Sequence, residues 1–169
     1  MVEKITIYGN PVLRTRAEEI KNVGDRIKNM MRDLAETMAE SGGIGLAAPQ
    51  IGIPLRAAVI NTTGLDDDLI FVINPVIEYL SGKSVIKEGC LSIPGIFENV
   101  KRPEFVRVRA LDIDGREQLI ETGDMAARVL QHEIDHLDGV LFTDRISFYR
   151  KIFIRKELMR LKAGQESDV

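Results

Sequence analysis

Between Asp25 and about Ser41 the apolar residues recur at three- and four-residue steps. Ile27, Met30, Met31, Leu34 and Met38 form one stripe, and Gly42-Gly43 ends the run. This period predicts an amphipathic helix whose methionine-rich face packs into a core. The pattern then changes to short strand-like segments: Arg56–Ile60, Leu69–Asn74, Val76–Leu80, Ser84–Glu88, Phe105–Leu111 and Gln118–Glu121. Asp112-Ile113-Asp114-Gly115 reads as the turn joining the last two, with the glycine free to take a positive φ. The acidic run Thr62–Asp68, flanked by strand-like segments, reads as a hairpin loop rather than a linker. Helical spacing returns from Gly123 to about Leu137, with Gly139 as a C-cap candidate, and again from Ile146 to Lys162. Helix, then strands, then helices predicts an α+β fold. Mostly antiparallel sheets surround a central helix, with a helix in the N-terminal half and another at the C-terminus. Pro94–Arg102 reads as a loop, and neither it (Phe97-Glu98-Asn99 included) nor the tail after about Ser147 receives a role.

At 169 residues the chain fits one catalytic domain, 1–169, whose last part, about 147–169, is a C-terminal helix and tail. The net charge of −3 argues against nucleic-acid binding by bulk electrostatics. No apolar run approaches a membrane span, and Met1–Tyr8 lacks the core of a signal peptide, so a cytoplasmic location is expected. The single cysteine, Cys90, has no internal disulfide partner and is a buried hydrophobe, a reactive thiol or a metal ligand.

Both histidines of the chain lie in Gln131-His132-Glu133-Ile134-Asp135-His136-Leu137. Four residues apart on a helix, His132 and His136 share a face and can address one metal ion. In this H-E-x-x-H arrangement Glu133 can reach a metal-held water and take its proton. Met125 and Val129 fall on the histidine face. Leu130, Ile134 and Leu137 fall on another and would anchor the helix.

Such a site needs a third protein ligand. A metzincin pattern would put histidine at position 142, where this chain has Phe142. Glu157 could serve as a downstream glutamate, but it lies on a basic helix with no accompanying motif. Upstream, Glu88-Gly89-Cys90-Leu91-Ser92 offers a thiolate at a strand end, after a glycine that permits close approach. A lone cysteine usually fills a core, but beside an H-E-x-x-H that lacks its third ligand Cys90 becomes the favoured choice. Gly43-Ile44-Gly45-Leu46-Ala47-Ala48-Pro49-Gln50 is either a tight turn after a helix or a backbone built to approach a ligand, and spacing does not decide between them.

Gly43–Gln50, Glu88–Ser92 and Gln131–Leu137, complete and in order, resemble the three motifs of the peptide deformylases. Asn10–Arg14 and Asp138–Phe142 are also similar to that family. The resemblance implies a metal-dependent hydrolase that removes the N-formyl group from N-formylmethionyl ends of nascent polypeptides and releases formate. It implies Cys90, His132 and His136 as ligands to one divalent ion per chain, Fe²⁺ in the typical bacterial enzyme, with Zn²⁺, Ni²⁺ or Co²⁺ also accepted. Attack on the formyl carbon would use Glu133 as general base and acid. The Gln50 side-chain amide and the Leu91 backbone N–H would stabilise the oxyanion.

A pocket for the methionine side chain would be lined by Leu91, Met125, Val129 and the His132 ring from strand-end and helix-face geometry, and by Ile44 and Ile86 from the resemblance. The peptide backbone would add as a strand between Gly43–Gly45 and the segment ending at Gly89. Asp135, Glu88 and Arg102 could support the ligands, with a Glu88–Arg102 pair bracing the segment of Cys90. Phe148, Ile152, Leu158 and Leu161 would pack the C-terminal helix on the core. Its Arg150, Lys151, Arg155, Lys156, Arg160 and Lys162 form either a solvated face or a ribosome contact. Two rival readings are a metallopeptidase, which would need room on both sides of the scissile bond, and a non-catalytic metal-binding module, which would need neither Glu133 nor Gln50.

Overall fold

The computed structural model describes residues 1–65 and 68–166. Asp66 and Asp67 of the acidic loop, and Ser167 to Val169 of the tail, lie outside the described residues. The elements run α1 (Asp25–Glu40), β1 (Gly45–Ala47), β2 (Ala57–Ile60), β3 (Ile70–Ser81), β4 (Ser84–Cys90), β5 (Ile93–Arg102), β6 (Phe105–Leu111), β7 (Glu117–Gly123), α2 (Asp124–Leu137) and α3 (Phe148–Glu166). Five strands form one antiparallel sheet in the order β1-β2-β3-β6-β7, and β4 and β5 form a separate hairpin. The α+β architecture read from the sequence is the one observed.

Helix α2 is the centre of the molecule. Every residue from Ala127 to Leu137 is buried. Ala127, Leu130, Ile134 and Leu137 meet Ala58, Ile60, Val72, Val106 and Val108 of the large sheet. The methionine stripe of α1 covers β1 and β2, where Met31, Leu34 and Met38 pack with Leu46 and Val59. A third cluster joins Ile93, Ile96 and Val100 of β5 to Leu141, Phe142 and Ile154. Gly139 takes φ +71° directly after α2, and a Cβ there would lie 2.7 Å from the Arg14 carbonyl oxygen. The predicted cap is therefore fixed both by backbone conformation and by close packing. No described helix is long and apolar enough to cross a membrane.

The structure corrects several boundaries. The two segments split at Pro75 are one long strand, β3, with a bulge at Asn74 (φ +51°), whose side chain pairs with both backbone groups of Ile20. Pro94–Arg102 is no loop but most of β5. The third helix starts at Phe148 rather than Ile146. On it, Phe148 and Ile152 are exposed, while Ile154, Leu158 and Leu161 face the core. Gly45–Ala47, which spacing left open between a tight turn and a backbone built to approach a ligand, forms the edge strand β1.

Because Leu130 is fully buried between helix and sheet, its truncation to alanine should leave a cavity and lower stability by about 2–5 kcal/mol. Urea unfolding at fixed metal concentration measures this. A loss below ~1 kcal/mol would show that the α2–sheet contact is not where the core is held.

Candidate metal centre

Three ligand atoms converge where the β4–β5 hairpin meets α2. The metal-type atoms of Cys90, His132 and His136 all lie within 4.8 Å of one another. Cys90 Sγ stands 3.2 Å from His136 Nε2. For tetrahedral coordination at ordinary Zn–S and Zn–N bond lengths the corresponding separation is about 3.6 Å. No other grouping of His, Cys, Asp and Glu among the described residues converges in this way. Glu157 is exposed on α3 and takes no part. Phe142, at the position where a metzincin would have histidine, stacks on the His132 ring with centroids 6.2 Å apart.

The hairpin explains the position of Cys90. Glu88 pairs with Glu98 and Cys90 with Ile93, so the four residues 94–97 of β5 lie opposite Gly89 alone. The irregularity turns the strand end toward α2. Gly89 lets the Phe97 ring lie over the strand; a Cβ there would come within 2.4 Å of Phe97 Cε1 and push the ring aside.

Behind the ligands is a buried ion network. Glu88 Oε2 contacts His132 Nδ1 at 3.1 Å, leaving the other ring nitrogen free for a metal. Arg102 donates to both Glu88 oxygens, at 2.7 and 3.0 Å, and also to Asp135 at 2.8 Å. Asp135 also accepts from Arg145 at 3.0 and 2.5 Å. The expected Glu88–Arg102 pair is thus present. Asp135, proposed as a partner of a ligand, joins the two arginines rather than a histidine. Sequence reading missed Arg128, Arg145 and Ser92. Arg128, four residues before His132 and on the same helix face, is the one that helical spacing could have exposed.

Burial alone would raise the Glu88 carboxyl, but hydrogen bonds with His132 and Arg102 outweigh it and hold the group at about 2. Burial pushes His132 down, yet its contacts with Cys90 and Glu88 carry it up to about 10. That proton must leave when a metal binds. Glu133 is raised to about 7 by burial, with His132 and Arg102 opposing. Its Oε2 is buried without a hydrogen-bond partner, as is His136 Nδ1. A buried carboxylate oxygen left bare beside a thiol and two imidazoles suits a centre completed by an ion and water. The residues present therefore fit a divalent metal.

Gln50, on a short 3₁₀ turn after β1, is 2% exposed. Its Oε1 accepts from the Ala47 N–H at 2.8 Å, which fixes the amide orientation. Nε2 therefore faces the centre, 3.2 Å from Ser92 Oγ and 3.5 Å from Cys90 Sγ.

A groove of about 480 Å³ opens beside these groups. Gly43, Ile44 and Gly45 form one wall, Gly89, Cys90 and Leu91 the other, and Met125, Val129, His132 and Glu133 the floor. Ile86 lies two residues before Glu88 on β4, paired with Val100, and is not among the residues that line this volume. Phe97 contributes to the wall instead. At Gly45 a Cβ would fall 2.5 Å from both Glu133 Oε1 and Val129 Cγ1.

Gly45→Ala should displace the Glu133 carboxylate and lower kcat by about 10²-fold or more while metal content stays unchanged. Steady-state kinetics with metal analysis tests this, and an unaffected kcat would separate Glu133 from the chemistry.

A family model described as polypeptide deformylase matches residues 2–151. The peptide deformylase of Pseudothermotoga lettingae is 44% identical over 170 residues, covering 99% of this chain and 97% of the relative. That of Caldanaerobacter subterraneus subsp. tengcongensis is 47% identical over 145 residues, covering 86% of this chain and 89% of the relative. The crystal structure of peptide deformylase from Thermus thermophilus superposes with a TM-score of 0.91 at 42% identity, over 96% of this chain and 99% of that one. With the family model matching residues 2–151 and both sequence and fold alike over nearly the whole length, this chain belongs to the polypeptide deformylase family.

Proposed function

We propose that this chain hydrolyses the formamide at N-formylmethionyl ends of nascent polypeptides, with Cys90, His132 and His136 holding one divalent metal and Glu133 moving the proton. The observation that carries the residue assignment is the convergence of a thiol and two imidazoles beside a buried, unpartnered Glu133 oxygen. When bound, the metal supplies Lewis acidity, lowering the pKa of water and polarising the formyl oxygen. Donors of sulfur and imidazole suit several ions. Our choice of Fe²⁺, with Zn²⁺, Ni²⁺ or Co²⁺ as substitutes, rests on family resemblance.

Glu133 takes the proton of the attacking water as the new C–O bond forms at the formyl carbon. It then returns that proton to the nitrogen as the C–N bond breaks, leaving formic acid and an amine, and the acid gives up its proton to become formate as the amine takes one to become ammonium. Gln50 Nε2 is held toward the centre and donates to the oxygen that gains charge, with the Leu91 N–H at the hairpin turn as the second donor. The substrate backbone runs between the free edges of β1 and β4, hydrogen-bonding to Gly43–Gly45 on one side and Gly89 on the other. Because those contacts are with backbone, they tolerate varied sequences after methionine. The methionine side chain occupies the space among Ile44, Leu91, Met125 and Val129. We read residues 1–169 as one catalytic domain working in the cytoplasm, where nascent formylated chains are made.

The exposed Arg155, Lys156 and Arg160 of α3 are our candidates for contact with the ribosome. Because α3 also packs on the core through Ile154, Leu158 and Leu161, charge reversal at the three exposed positions is a cleaner probe than deletion. It should weaken ribosome co-sedimentation at low salt without reducing formate release. Equal co-sedimentation would end that idea.

Formate release from formyl-Met-Ala-Ser by anaerobically purified, Fe²⁺-loaded protein tests the activity. Glu133→Ala should retain metal and lose at least about 10²-fold in kcat, and acetyl-Met-Ala-Ser should be a poor substrate. Burial raises Glu133 to about 7, and a nearby cation favours its charged form. The base must be deprotonated, so kcat/KM should fall as pH drops, along an acid limb at or below about 7. An acid limb well above 7 would point to a different base.

A further inference from the structure

We infer that Arg128 is a positioning residue for the metal centre, holding Glu88 against His132 and fastening the ligand helix to the groove wall. This rests on the reading of Cys90, His132 and His136 as the ligands. Arg128 is 3% exposed and lies about one helical turn before His132. Its Nη1 donates to Glu88 Oε1 at 2.5 Å and to the Val100 carbonyl at 3.0 Å. Its Nη2 donates to the Ser84 carbonyl at 3.1 Å and to Ser84 Oγ at 2.8 Å. One planar fork therefore reaches the start of β4, the carboxylate near its end, and the last part of β5.

Arg102 and Arg128 have different reach. Arg102 and Glu88 both belong to the β4–β5 hairpin, and the hold of Arg102 on α2 is at Asp135, beyond His132. Arg128 takes hold of the same hairpin from the other side of His132. The imidazole whose Nδ1 meets Glu88 at 3.1 Å is thus bracketed along the helix. The side chain of Arg128 also lines the groove beside Met125 and Val129, so the anchor of the ligand helix is part of the substrate wall. Arg128 Nε is buried with no hydrogen-bond partner. An unsatisfied buried donor is unfavourable by about 1–3 kcal/mol. The four hydrogen bonds of the fork offset that cost only because Glu88, Val100 and Ser84 are held where it reaches them, so the arginine and the hairpin position one another.

The test is Arg128→Met, which keeps an unbranched stem and removes the fork. Zn²⁺-loaded and Co²⁺-loaded proteins are challenged with excess chelator, the Co²⁺ visible spectrum is recorded, and thermal unfolding is followed in parallel. We expect metal release about 10–100-fold faster than wild type, a shifted Co²⁺ band, and a fall in kcat larger than any change in KM. Unchanged release and an unchanged spectrum, with only a lower unfolding temperature, would reduce Arg128 to a structural tie and overturn the inference. Should Arg128→Met not fold, Arg128→Lys, which keeps stem and charge but not the fork, is judged on the same readings. Wild-type protein that holds no metal would overturn the ligand assignment together with this inference. Wild-type protein that holds metal no more firmly than the variant would overturn this inference alone.

Discussion

Glu88 carries a negative charge at 6% exposure, and that would be untenable without the donors around it. Arg102 and Arg128 donate three hydrogen bonds to its oxygens, and His132 adds another contact. The constraint runs in both directions. The arginines are admitted to the interior because Glu88 and Asp135 are there, and β4, β5 and α2 are held at the one spacing that satisfies them all. Among the described residues the small hairpin has no pairing with the large sheet. Its place against α2 depends on this network and on the apolar cluster of Ile93, Ile96 and Val100.

That arrangement explains where the sequence was legible and where it was not. Helices α1 and α2 were visible because apolar stripes and glycine stops coincide with their ends. The chemistry was visible because histidines four apart have few uses, and because three short motifs occur in order. Strand β5 was hidden because its inward positions include Glu98 and Arg102, both buried. Alternation of apolar and polar residues fails to announce a strand whose buried face is charged. The same substitution of ion pairs for hydrophobes concealed Arg128. A charge on a helix face reads as solvated until its partners, which come from β4 and β5, are known. On α3 the error was the reverse. Phe148 and Ile152 suggested a packing face, but the contact is made by Ile154, Leu158 and Leu161, and the first two are left outside.

The groove shows how little the main chain needs to specify. Gly43 and Gly45 bring the backbone of β1 close to Leu91 and Glu133, where any side chain would intrude. Gln50 is aimed by the hydrogen bond its Oε1 accepts from the Ala47 N–H, three residues earlier, and by the one its Nε2 donates to Ser92. The groove edge at Gly43–Gly45, the Gln50 amide and the Glu133 carboxyl therefore sit within one short stretch and one helix. Their relative placement is inherited from local backbone geometry rather than from long loops.

The ligand trio draws on a hairpin tip and on a helix, with Cys90 and His136 separated by 46 positions along the chain. An ion held between them closes a long loop, much as a disulfide does, and ties two packing units that otherwise meet through side chains. Affinity for the ion then counts as resistance to unfolding. On the proposed ligand assignment the cation would work as a removable rivet, so the conditions that extinguish turnover by stripping it should also loosen the body that carried it.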